Sequence, residues 1–271
     1  FDAELPGAVK HSPDPDAAVE RFLDLWEDPS LVHAVIDYWP DTSTQRDVVM
    51  ADDGAIYKDN GSGAGWSTVR TGMTVSGARP TFAIGGAEEL GRSRQLFYAD
   101  GLNAPRVLVG DAAAMAALSA PMPEWTGTNQ PRQFVPHQGY NWAFGQANTP
   151  HLLGRSHDTN HQDFTTTRFA VPIFSGDGEY LAAGCSFKGN LILWKFPEGV
   201  YAYDTTAASS ANWYARKIGV AGIAGPACFC ILENDILYVD PFGGLHLISA
   251  ALEFGNVRSS DISARKLGRY I

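Results

Sequence analysis

The sequence predicts an all-β protein, a β-propeller of about six blades, with five as the alternative count. Three observations carry this. Apolar hairpins recur, with first strands opening at Val48, Leu96, Trp142, Leu191 and Ile236, at intervals of 48, 46, 49 and 45 residues. A strand-bearing period of roughly 40 to 50 residues is the mark of propeller blades. Each hairpin breaks at a Gly- or Pro-bearing turn, and the chain holds 28 Gly and 16 Pro with only 18% charged residues. A lone hairpin cannot bury its apolar face in water, so such units must stack on one another.

The turns differ in chemistry. Val48-Val49-Met50 leads into Asp52-Asp53-Gly54, and Ala55-Ile56-Tyr57 returns. Leu191–Trp194 precedes Phe196-Pro197-Glu198-Gly199, and Ile236–Val239 precedes Asp240-Pro241-Phe242-Gly243-Gly244. Gly supplies positive φ in such turns and Pro fixes φ at their entry. The second and third hairpins turn at Asn103-Ala104-Pro105 and Asn148-Thr149-Pro150, where proline starts the return strand.

Residues 1–30 form an N-terminal arm outside the repeat, and residues 31–271 form the propeller domain. In the arm, Val19, Phe22, Leu23 and Trp26 follow helical spacing, with Asp14 as N-cap, Pro15 at the first helical position and Pro29 closing a short amphipathic helix. Residues 31–70 make the first blade, with Ala34, Ile36 and Tyr38 alternating, and Thr81–Ile84 begins the second. Ala112–Leu118 reads as a helical turn joining it to the third, which runs to about Ser156 and is followed by a polar loop, His157–Asp163. The fourth spans about Thr165–Thr206, the fifth Trp213–Ala250, and Phe254–Ile271 is a polar end. Sharing of strands between the two chain ends closes a sixth blade in this reading.

Net charge is −10 (20 Lys+Arg against 30 Asp+Glu), which argues against a surface that grips phosphate backbones. No apolar run approaches the roughly 20 residues that span a bilayer. No signal peptide is apparent, and a start at Phe1 fits a domain of a longer chain or a crop to an ordered region. The three cysteines, Cys185, Cys228 and Cys230, give no disulfide framework and read as buried free thiols.

No catalytic, cofactor-binding or metal-binding residues are assigned. His151, His157, Asp158 and His161 are the one metal-like group, but Asp158-Thr159-Asn160 reads as loop, not as the helix that an i, i+4 pair of ligands needs. Gly219–Gly225 lacks the spacing and the βαβ context of a dinucleotide loop. Asp52-Asp53 and Glu88-Glu89 lie in turns and loops, where solvation accounts for them. No phosphate loop or nucleophile elbow is present.

Five segments carry a family resemblance: Leu96–Pro105, Trp142–Gly145 with Asn148–His151, Phe187–Lys195 ahead of Gly199-Val200-Tyr201, Gly222–Pro226, and Asn234–Asp240. Their order resembles β-propeller structural proteins of tailed bacteriophages, found in the tail tube, nozzle or head-to-tail region. The resemblance covers roughly residues 31–271 and rests on structural turns. It implies a non-enzymatic virion (tail) protein without cofactors. Its expected partners are copies of itself in a ring around the DNA conduit and neighbouring tail or head–tail connector proteins. Viral DNA is expected to pass through without specific binding. The alternative is a glycan-binding or glycan-cleaving propeller module of a tail or cell-surface protein, with Trp66, Trp125, Tyr140 and Trp142 stacking on sugars. A cellular WD-repeat scaffold fits less well, since the Gly-His and Trp-Asp pairs are missing.

Overall fold

The computed structural model describes residues 32–41, 43–61, 65–76, 80–86, 94–166, 169–251 and 256–261. The arm at 1–30, with its expected helix, lies outside them, as do Glu88 and Glu89. Among the described residues, twenty strands form five four-stranded antiparallel sheets, each built from consecutive strands. Sheet 1 comprises β1 (Val32–Tyr38), β2 (Arg46–Ala51), β3 (Ile56–Asp59) and β4 (Trp66–Arg70). Sheet 2 holds β5 (Thr81–Gly86), β6 (Arg94–Ala99), β7 (Arg106–Val109) and β8 (Ala116–Ala117). Sheet 3 holds β9 (Gln133–His137), β10 (Tyr140–Phe144), β11 (Leu152–Arg155) and β12 (Phe169–Pro172). Sheet 4 holds β13 (Tyr180–Phe187), β14 (Asn190–Phe196), β15 (Glu198–Asp204) and β16 (Tyr214–Ala221). Sheet 5 holds β17 (Phe229–Ile231), β18 (Ile236–Val239), β19 (Leu245–Ala251) and β20 (Asn256–Asp261). The one helical element among the described residues is a 3-10 turn at Ser210–Asn212.

The five hairpins read from the sequence are the second and third strands of the five sheets. The second strands of sheets 2 to 4 carry runs of consecutive apolar residues because both faces are covered. Leu96 and Tyr98 of β6 pack on Val48 and Met50 of sheet 1, while Phe97 and Ala99 pack on Phe134 and Ala143 of sheet 3. Leu191 and Leu193 of β14 face Trp142 and Phe144, while Ile192 and Trp194 face Ile236 and Tyr238 of sheet 5. Alternate residues of a strand point to opposite faces, so a strand between two neighbours needs apolar residues on both faces. The apolar cores therefore sit between successive sheets. The first strands β1, β5, β9 and β13 lie side by side, which gives the array its propeller-like form.

Sheets 3 to 5 differ from the sequence reading by about one strand. The third continues through β12 to Pro172, the fourth ends with β16 at Ala221, and β20 lies in the segment read as a polar end. Ala112–Leu118 is not helical. Ala116 and Ala117 instead pair with Val107 and Arg106. These strands are the outer ones of their sheets, exposed in β8 and partly exposed in β12 and β16, so burial on both faces does not mark them as it marks the second strands. Alanine's helix propensity is overridden at β8 by open ladder positions on β7.

One turn shows why asparagine precedes proline. Asp100 Oδ1 accepts from the Leu102 and Asn103 amides at 2.8 and 2.7 Å, closing the turn. Asn103 then pairs with the main chain of Thr74, accepting from its N–H and donating to its carbonyl, both at 2.8 Å. A carboxamide matches a peptide group donor for acceptor. The turn of sheet 2 is thereby fastened to the segment arriving from sheet 1.

Candidate functional site

The buried polar groups concentrate in the seams between sheets, and the seam of sheets 3 and 4 is the richest. His137 ends β9 and is 4% exposed. Its Nδ1 lies 2.8 Å from Ser186 Oγ of β13 and its Nε2 lies 3.0 Å from Thr205 Oγ1, just past β15. The Thr205 hydroxyl donates to Gln138 Oε1 at 2.7 Å, so its oxygen accepts from His137 Nε2–H. That assigns Nδ1 as the acceptor for the Ser186 hydroxyl. Gln138 Nε2 donates to Gly189 O at 3.2 Å, joining the tips of the β9–β10 and β13–β14 hairpins.

A hydroxyl beside an imidazole is the arrangement of nucleophilic catalysis. Here burial pushes the His137 pKa down to about 4, so the ring is a weak base. The third member is a hydroxyl, with no carboxylate to stabilise an imidazolium. Both ring nitrogens are engaged in tying two sheets together. The constellation works as a clasp.

Beside it, Arg155 of β11 is 6% exposed and lies over Tyr140, Phe169 and Trp213, its guanidinium carbon 4.1, 4.6 and 4.9 Å from the ring centroids. Trp142 fills the floor, edge-on to Tyr203 with centroids 5.5 Å apart. Burial lowers the Arg155 pKa, and ring faces supply the compensation that a carboxylate gives elsewhere.

Ion pairs serve elsewhere, within sheets and between them. In sheet 4 the Lys195 side chain is 0% exposed; its Nζ donates to Phe174 O at 2.8 Å and pairs with Asp177. Between sheets 1 and 2, Lys58 and Arg46 both pair with Asp111, at 2.6 and 2.8 Å. In sheet 5, Asp240 accepts from the Phe242 and Gly244 amides and from His246 Nε2, each at 2.8 Å. Gly222 marks the closest main-chain approach, since a Cβ there would lie 2.2 Å from Lys195 O and 2.3 Å from Pro197 O. This places the Gly219–Gly225 segment against the β14–β15 turn. A shallow cleft of about 180 Å³ opens beside it, lined by Pro197, Glu198, Val220, Pro241 and Phe242.

The remaining residues singled out from the sequence are dispersed. His157 accepts from the Thr159 amide within its own loop at 3.2 Å, whereas His161 Nε2 donates to Gly139 O at 2.9 Å. Among the described residues no three His, Cys, Asp or Glu side chains converge as a metal site. Cys185 is buried, and burial pushes its thiol up to about 12. Cys228 is half-buried and Cys230 is exposed, so the expectation of three buried thiols holds for one. Cys230 lies on short β17, the first strand of the last sheet, where only Phe229 is stacked, on Trp194. Asp53 caps its own turn, accepting from the Ala55 amide at 2.9 Å. Trp125 and Trp142 are 7% and 0% exposed and belong to the inter-sheet cores; Trp66 and Tyr140 are half-buried. His137, Ser186 and Thr205 were not singled out, because their meeting depends on sheet placement and not on spacing.

Among the described residues, no helix is long and apolar enough to cross a membrane. No family model matches the chain, and no curated protein matches it. Among solved structures, it is similar to BBS1N in complex with ARL6DN, at 13% identity and a TM-score of 0.51, covering 83% of this chain and 67% of that one. It is also similar to PorZ, an essential bacterial surface component of the type-IX secretion system of Porphyromonas gingivalis. That match has 13% identity and a TM-score of 0.50, covering 85% of this chain and 28% of PorZ. Both are propeller-like proteins outside the phages, and at this identity the likeness concerns the fold alone.

Proposed function

We propose that the chain is a non-enzymatic structural subunit of a tailed-bacteriophage virion, in the tail, nozzle or head-to-tail region, assembling with its own copies as a ring around the DNA conduit. The observation that carries the reading is the spending of buried polar chemistry on joints. His137, Lys195, Asp111 and Arg155 each fasten one element to another, and none of the four lines the cleft beside Gly222. Such joints suit a rigid building unit. The segments that resemble phage propeller proteins coincide largely with the second–third strand hairpins of sheets 2 to 5 and the turns beside them. The subunit is a propeller in this reading, and a sixth blade between sheets 5 and 1 completes it. Support comes from exposed apolar residues on the first strands at the two ends of the array: Val35, 55% exposed on β1, and Ile231, 54% exposed on β17.

Mechanism here means assembly. Head-to-tail contacts between identical subunits close a ring when the rotation permits. The net charge of −10 keeps DNA from sticking wherever it lines a passage. Immunogold labelling of purified particles with an antibody to this chain tests the reading, with label expected on the tail. Antigen confined to the soluble lysate and absent from particles overturns it.

A further inference from the structure

The last strand of sheet 5 ends close to the cleft beside Gly222. β20 runs antiparallel to β19 and pairs Asp261 with His246. His246 pairs in turn with Tyr238 of β18, and its Nε2 lies 2.8 Å from Asp240 Oδ2. Asp240 lines the cleft together with Pro197, Glu198, Val220, Pro241 and Phe242. Residue 261 is thus one strand spacing, about 5 Å, from a residue bonded to the cleft wall. Residues 262–271 follow it directly and lie outside the described residues.

The cleft wall is apolar and uncovered. Val220 of sheet 4 is 75% exposed and Phe242 of sheet 5 is 85% exposed, with Pro197 exposed beside them. One exposed apolar side chain is ordinary, whereas two that meet at a concave site offer surface for a partner to bury. The Asp240 carboxylate is engaged by His246 and by the Phe242 and Gly244 amides. Glu198 is exposed and enters no ion pair among the described residues. The cleft therefore suits an apolar side chain with a cation next to it.

Residues 262–271 supply that combination. They read Ile-Ser-Ala-Arg-Lys-Leu-Gly-Arg-Tyr-Ile, with cations at Arg265, Lys266 and Arg269 and no acidic side chain. The arm at 1–30 carries acids in excess and does not complement Glu198. At roughly 3.3 Å per extended residue, four to six residues beyond Asp261 reach roughly 13 to 20 Å, enough to bring Arg265 to Leu267 over the cleft. So short a tether holds the segment at an effective concentration on the order of millimolar, and weak contacts suffice to seat it.

We propose that residues 262–271 fold back onto the cleft between sheets 4 and 5 of their own chain. Neighbouring residues of an extended segment point to opposite sides, so Leu267 meets Phe242 of sheet 5 while Lys266 meets Glu198 of sheet 4. The segment acts as a strap across this seam and closes the cleft to other partners. The proposal does not rest on the virion assignment, and it leaves a sixth blade to other residues.

The test uses the whole chain at low ionic strength. Trypsin cuts after Arg265 and Lys266, and docking should slow both cuts at least fivefold relative to a free peptide of residues 259–271. Glu198→Gln and Val220→Ser, both at exposed positions, should each speed the cuts at least twofold. Carbodiimide, which joins a carboxylate to an amine in contact with it, should link Lys266 to Glu198 within one chain. Cleavage of the native chain at the rate of the peptide overturns the proposal, as does a rate that neither variant changes or failure to find the link. A Lys266–Glu198 link found only between two chains assigns the cleft to a second copy and overturns the proposal as well.

Discussion

Removing the Asp177 charge should cost more than removing the Lys195 charge, although the two belong to one ion pair. The Lys195 side chain is 0% exposed and Asp177 is 30% exposed, so the pair is asymmetric in its access to water. Asp177→Asn leaves a buried ammonium with the Phe174 carbonyl and an amide oxygen in place of a carboxylate. That costs about 3 kcal/mol, the lower end for stripping one partner from a buried pair. Lys195→Met keeps an apolar stem of similar length and lets the Asp177 carboxylate turn to solvent. Its cost is about 1 kcal/mol, set by the Phe174 carbonyl left without a donor. At about 2 °C per kcal/mol for a chain of this size, the midpoints should fall by about 6 °C and about 2 °C. The double variant should sit near Lys195→Met alone, since no charge remains to strand. Urea titration with a common slope gives the free energies. Equal losses for the two single variants, or a larger loss for Lys195→Met, would refute the reasoning.

His137 sets a pH dependence. Its folded pKa of about 4 lies below the unfolded value of about 6.5, so the unfolded chain binds more protons between them. Its contribution is full above about pH 6.5 and declines as pH falls toward 4; His137→Gln should show a flatter fall in urea midpoint between pH 7 and pH 5, and an unchanged slope counts against the clasp. Gly222→Ala should lose about 1 to 3 kcal/mol by overpacking, because the opposing atoms are main-chain carbonyls that cannot rotate away. Trp142→Ala should lose about 3 to 5 kcal/mol, as a large buried side chain replaced by a cavity. Phe242→Ser, at a side chain 85% exposed, should stay within about 0.5 kcal/mol by the same denaturation assay.

How far the sequence revealed the fold depended on which strands were covered on both sides. β6, β10 and β14 are buried on two faces and read as Leu-Phe-Tyr-Ala, Trp-Ala-Phe and Leu-Ile-Leu-Trp, which makes their spacing visible. β8, β12 and β16 meet a neighbour on one edge only: β8 is a pair of alanines, β16 mixes polar and apolar residues, and β12, though Phe-Ala-Val-Pro, follows the polar stretch after β11. The boundaries of sheets 3 to 5 slipped for that reason. The clasp was hidden for a different one. His137 and Ser186 are 49 residues apart and meet only because β9 and β13 lie side by side.

Because each of the five described sheets is a single unbroken stretch of chain, its four strands leave the ribosome in succession and can pair without waiting for distant sequence. Closure of each sheet involves loops within its own stretch of chain, the longest running over 156–168, so limited chain entropy is lost before the ladder forms. Each newly made sheet then finds a finished apolar wall on the one before it. Synthesis order and stacking order coincide, and growth proceeds by accretion onto the part already folded.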